Sequence, residues 1–204
     1  MLSPANCSGR RAELLVAPEA GFELARRLQS RRGAPLGDVF SFVSGLYFRG
    51  KLAYARRFAR PPDPADPVAA GGVLVITPNA GLRAPDTPVT LESFRTFAAA
   101  AVDVRNPAYR RPLERGARAL LAAIGPECDV VLLGSIASGR YVDLLLPIFG
   151  TRLVFPPYFV GRGDMSRGGL MLRCVTAGVE MEYVPITGAM RRGPRPPRLE
   201  PLRR

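Results

Sequence analysis

The chain has 204 residues, 47% hydrophobic and 23% charged, enough apolar side chain for one packed domain and too much for a disordered tail or a fibre. It has no histidine, and its three cysteines, Cys7, Cys128 and Cys174, fit no zinc spacing, which excludes Cys/His metal centres and His-based catalytic triads. With 29 Lys+Arg against 17 Asp+Glu the net charge is +12, pointing to a polyanion such as nucleic acid or a nucleotide, although a GC-rich coding sequence would also favour arginine.

Residues 1–10 carry no pattern and are expected to be unstructured. The run 38–43 is short and β-prone, and 45–60 has helical character. The stretch PPDPADPVAA at 61–70 is a proline-rich surface loop. GVLVIT at 72–77 is continuous, apolar and β-branched, as a buried strand requires. Thr90 caps a helix with Glu92 in its first turn and Leu91, Phe94, Phe97 and Ala98 at helical spacing. A second amphipathic helix spans 109–124 and stops at Gly125-Pro126. A strand at 129–133, a helix at 141–149, a strand at 151–155, a helix at 166–177 ending at Gly178, and a strand at 181–185 follow. This alternation predicts an α/β fold over residues 11–190: a three-layer sandwich with a mostly parallel or mixed central sheet.

The tail 191–204 holds six arginines, four prolines and one glutamate, a composition that reads as a disordered basic arm of about +5. No apolar run is long enough to span a membrane, and Glu13, Glu19 and Glu23 interrupt any signal-peptide core. Three scattered cysteines fit a reducing cytosol, with Cys128 and Cys174 expected to be buried.

In open α/β sheets ligands sit beyond the carboxyl ends of the strands. The segment ITPNAGLRAPDT at 76–87 follows a strand and offers Asn79, Gly81, Asp86 and Thr87. LGSIASGRYVD at 133–143 places Ser135, Ser138 and Gly139 before a helix whose N-terminus attracts anions, with Tyr141 able to stack; neither a P-loop nor GxGxxG is present. In FVGRGDMSRGGLMLR at 159–173, Arg162, Ser166 and Arg167 suit a phosphate clamp, or Asp164 neutralises them in a structural loop. In SGLYFRGK at 44–51, Tyr47 and Phe48 alternate with Arg49 and Lys51, which suits base stacking with phosphate contact, or simply a helix with its cations in solvent. Lys51 is the one lysine among the 29 basic residues, which marks a position where a compact or deprotonatable amine is needed.

These segments, in this order, resemble the superfamily of the peroxide-stress protein YaaA. Residues 45–51 with Tyr54 resemble its "LY.S.LFR…YA" stretch; 76–87 is similar to "ilSaKyGLv.PdtpI" through Asn79, Gly81, Leu82, Pro85 and Asp86. Residues 130–146 look like "vvvlag..Y.e.LlP" through Tyr141, Leu145 and the following Pro147, and 162–167 like "ARGxMSR" through Arg162, Gly163, Met165, Ser166 and Arg167. The matches span 38–177, each of them short. The lysine that usually precedes the Gly-Leu turn is replaced by Asn79 or Ala80, so lysine chemistry at that turn does not carry over. The resemblance implies a cytosolic α/β protein with a DNA-binding or nucleic-acid-related role.

Two functions follow. A binding module would hold nucleic acid, DNA first, in a basic cleft lined by Tyr47, Arg49, Asn79, Ser135, Tyr141, Arg162, Ser166 and Arg167. An enzyme would cleave or transfer a base at its N-glycosidic bond, with Asp143, Asp164 or Asp86 as acid/base and Lys51 as a further catalytic candidate. A scaffold using its arginine tail on an acidic protein or ribosomal RNA is a third possibility. No metal and no cofactor is expected in any of them.

Overall fold

The computed structural model describes residues 1–199. In chain order these hold α1 (Arg10–Val16), α2 (Glu23–Gln29), β1 (Ala34–Pro35), α3 (Leu36–Ser44), α4 (Leu46–Phe58), β2 (Val75–Ile76), β3 (Leu82–Arg83), β4 (Pro88–Val89) and α5 (Leu91–Ala99). They continue with α6 (Pro107–Ala123), β5 (Val130–Val131), α7 (Gly139–Phe149), β6 (Leu153–Phe155), α8 (Asp164–Ala177) and β7 (Val184–Pro185). The fold is mixed α/β, but the strands are short. They form sheets of two, two and three strands rather than one large central sheet. The three-stranded sheet pairs β5 with β6 in parallel and β6 with β7 antiparallel.

The N-terminus, expected to be unstructured, is a buried connector. Leu2 is fully buried and bridges Val75 on one side and Leu133 on the other, both in parallel. Backbone bonds run from Leu2 N to Leu74 O, Ile76 N to Leu2 O, Ser3 N to Leu133 O and Leu133 N to Met1 O. The Met1 amino group donates to Val131 O at 2.6 Å. One apolar residue in extended backbone satisfies two neighbouring segments at once, a feature too short to give periodicity.

The segment 73–76 alternates as a two-faced strand must. Leu74 and Ile76 enter a core built with Tyr109, Leu113 and Ala117 of α6 and Val142 and Leu145 of α7. Val73 and Val75 enter another with Leu36, Val39 and Phe40 of α3 and Phe94 of α5. A third cluster joins Tyr47, Tyr54 and Phe58 of α4 to Met171 of α8.

The β-prone run 38–43 is helical within α3. Its buried side chains Leu36, Val39 and Phe40 recur at spacings of three and four, and burial of that stripe overrides the propensity of Val and Phe. The Thr90 cap forms as expected, strengthened by a reciprocal bond with Ser93. Helix α8 ends at Gly178 in the left-handed region. Helices α4 and α8 cross closely because Gly50 and Gly168 face each other's backbones: a Cβ on Gly168 would sit 2.7 Å from Leu46 O, and one on Gly50 2.6 Å from Gly168 O. Cys128 and Cys174 are only half-buried, and Cys7 is the buried thiol. Among the described residues no helix is long and apolar enough to cross a membrane.

Residues 191–199 are extended and mostly exposed. They lie against the segment before α8, where Arg162 Nη1 donates to Pro197 O at 3.2 Å, and against α7, where Arg191 pairs with Asp143 at 3.5 Å. The rest of the expected basic arm, 200–204, lies outside the described residues.

Candidate functional site

Because Leu2 runs parallel to both neighbours, the residues after Ile76, after Leu2 and after Leu133 emerge at one edge. They surround a cleft of about 580 Å³, within the range of small-ligand sites. Ser3 to Ser8 form one wall, Pro78 and Phe97 another, and Ser135, Ser138, Arg140 and Tyr141 a third, with Tyr47 and Asp164 closing it.

Tyr47 and Tyr141 are both 7% exposed, so each ring is nearly desolvated where it meets the cleft. The Tyr47 hydroxyl lies beside Arg167 but makes no well-formed hydrogen bond to the described residues, and its burial discourages ionisation. The Tyr141 hydroxyl sits within reach of the Ser3 side chain and the Ser135 backbone amide; burial is the larger influence and raises its pKa. Cys7, also lining the cleft, is held as a neutral thiol, its pKa pushed up to about 12 by burial.

Lys51 lies behind Ser3 and is fully buried. Its Nζ donates to Ser3 O at 2.7 Å and to Ser3 Oγ at 2.9 Å, and stands 4.4 Å from the centre of the Tyr47 ring and 4.8 Å from that of Phe48. Loss of water brings its pKa down to about 7; Asp164 opposes the shift and Arg167 reinforces it. This is the compact, deprotonatable amine that the solitary lysine suggested. Its partner Ser3 lay in the stretch expected to be unstructured. The only signal there was a short apolar start followed by Ser3-Pro4.

Of the expected site residues, the structure brings Tyr47, Ser135, Tyr141 and Asp164 to the cleft, with Lys51 directly behind Ser3. It does not bring the others. Arg49 is exposed on α4 away from the lining residues. Asn79 donates to Thr96 O at 3.2 Å and acts as a loop tie. Asp143 is exposed on α7 and faces Arg191. Asp86 pairs with Arg56 at 3.0 Å, also outside the cleft.

Nor do Arg162, Ser166 and Arg167 line the cleft as an open phosphate clamp, and protein acceptors already hold Nε and Nη1 of both arginines. Arg162 donates to Tyr158 O at 3.0 Å and to Ser166 Oγ at 3.2 Å. Arg167, 8% exposed, donates through Nε to Phe159 O at 3.1 Å and pairs with Asp164 at 3.4 Å. A buried guanidinium has to be satisfied locally, which fixes its role as a brace.

A second cavity of about 530 Å³ lies between α4, α6 and the three-stranded sheet. It is lined by Tyr54, Phe58, Leu74, Leu120 and Val130, and Tyr54, Tyr183 and Glu180 form a hydrogen-bonded chain at its edge. Among the described residues no cluster of Cys, Asp and Glu could hold a metal ion. Compared with protein families, curated proteins and solved structures, the chain matches none of them.

Proposed function

We propose that the chain is a nucleic-acid-binding protein of YaaA-like type that takes a single nucleotide unit into the cleft at the strand ends. In this reading Leu2 knits the small sheets into a mixed central layer with helices on both faces. The observation that carries the proposal is the cleft itself: two nearly desolvated tyrosines, five serines and Arg140 at the first turn of α7, in a chain of net charge +12. Tyrosine faces accept any base, while a cation and a helix N-terminus favour phosphate. The short segments shared with the superfamily point the same way, and the exposed arginines of the tail would add attraction through counterion release.

The experiment is fluorescence anisotropy with labelled single-stranded DNA, RNA and duplex DNA across a salt series, with mononucleotides as competitors. The expected result is affinity that falls steeply with salt, is weakened in Tyr141→Ala and Arg140→Ala, and is competed by a mononucleotide. Binding unaffected by both substitutions would remove the cleft from the interface.

A second reading, an enzyme acting on a nucleotide or nucleobase, is favoured by Asp164, a carboxylate on the cleft wall. Release of free base that is lost in Asp164→Asn would support it over binding alone.

A further inference from the structure

We propose that Ser3 and Lys51 form a nucleophile–base dyad that performs acyl transfer on a carboxylic ester bound in the cleft. Three observations carry it. Ser3 lines the cleft and Lys51 stands buried directly behind it, so the amine is reached only at the Ser3 side. The Oγ–Nζ distance is 2.9 Å, the reach a base needs for the proton it removes. Tyr47, which also lines the cleft, carries a buried hydroxyl that makes no well-formed hydrogen bond to the described residues, a donor that would have to turn toward the cleft to meet a developing oxyanion.

The environment of the amine fits the role. It has no carboxylate in contact, and the Tyr47 and Phe48 rings flank it. The charges that act on it, Asp164 and Arg167, both come from α8 and are of opposite sign; Tyr47 on its own helix and Tyr141 on α7, which approaches Ser3, are neutral phenols at pH 7. Burial therefore dominates and leaves a substantial fraction of the amine unprotonated at neutral pH. Cys7 is no rival nucleophile, since burial keeps its thiol protonated.

The chemistry balances within these groups. The Ser3 Oγ–H bond breaks as its proton passes to neutral Lys51, and Oγ forms a bond to the ester carbonyl carbon. The carbonyl oxygen takes the negative charge and accepts from the Tyr47 hydroxyl. The C–O bond to the leaving alcohol then breaks, and that oxygen receives the proton from Lys51. Water attacks the acyl-Ser3 carbonyl carbon as its proton passes to Lys51, the C–Oγ bond breaks, Oγ takes that proton back from Lys51, and the acid leaves with Ser3 and the neutral amine restored.

The dyad goes beyond the nucleotide reading, and its test needs no nucleotide. The full chain is treated with an alkyl fluorophosphonate, whose phosphorus takes Oγ as fluoride leaves, and the adduct is located by peptide mass spectrometry. The expected result is one adduct on Ser3, absent in Ser3→Ala and formed about 100-fold more slowly in Lys51→Arg at pH 8. Ser3→Ala removes only Oγ and is checked by circular dichroism. If Lys51→Arg does not fold, the wild-type labelling rate decides: it should rise about tenfold per pH unit below about 7 and level off above. No adduct on Ser3, wild-type labelling in folded Lys51→Arg, or a flat pH profile overturns the dyad. Labelling that no mononucleotide protects supports the dyad and counts against the nucleotide reading alone.

Discussion

Replacing Lys51 by methionine should change how stability depends on pH, and the size of the effect follows from burial. The amine titrates near 10.5 in an unfolded chain and near 7 in the folded one. Below about pH 7 the folded chain must carry a buried ammonium ion. Between about 7 and 10.5 the unfolded chain binds a proton that the folded chain does not, so stability climbs with pH by up to about 1.4 kcal/mol per unit. From pH 7 to 9 wild type should gain about 2 kcal/mol relative to Lys51→Met. The variant also loses two hydrogen bonds to Ser3, a penalty of about 1–3 kcal/mol that shifts its curve without changing the slope. The buried Met1 amino group, lowered to about 5, and the Cys7 thiol are present in both proteins, so their contributions cancel in the difference. The assay is urea unfolding followed by far-ultraviolet circular dichroism at half-unit steps from pH 6 to 9. Parallel stability curves would show that Lys51 keeps an ordinary pKa, and a difference that shrinks as pH rises would reverse the argument.

Arg167→Lys should destabilise the fold by about 1–3 kcal/mol, because a lysine cannot serve both Phe159 O and Asp164 as the guanidinium does; an unchanged melting temperature would mean the brace is not needed. Gly168→Ala should cost about 1–3 kcal/mol by forcing α8 off Leu46 of α4, and a melt identical to wild type would show that the helices separate freely. Deleting residues 191–204 should lower nucleic-acid affinity and flatten its salt slope while moving the melting temperature little, since the described part of the tail is mostly exposed; a large loss of stability would contradict this.

The long periodic elements were legible in the sequence. Thr90 with the Phe94 and Phe97 stripe specifies α5, and the run ending at Gly125-Pro126 specifies α6, since cap and apolar spacing agree in each. The strands were legible as buried segments but not as a sheet. Val73, Val75 and Val131 lie inside or half-inside, yet Val75 and Val131 belong to different sheets joined through Leu2. A single residue cannot display a period of two, so neither its place nor the arrival of Ser3 beside Lys51 could be read locally. The four cleft residues that were anticipated follow strand ends or open helices, positions set by local chain direction. Those that failed, Arg162 and Arg167 above all, were chosen for chemistry without regard to what else would satisfy them.

The places that Arg167 and Lys51 take in the structure share one physical cause. A side chain in a buried position cannot remain charged and unpartnered, so it either finds acceptors or gives up its charge. Arginine cannot give up its proton, and Arg167 accordingly turns to Phe159 O and Asp164. Lysine can, and the amine of Lys51 is held by Ser3 and flanked by two aromatic rings. In a chain that uses arginine everywhere else, the position that must be both buried and deprotonatable is the one an arginine could not fill. The residue that excess of arginine sets apart is therefore one whose burial brings its pKa down to about 7, and the serine it holds lines the cleft.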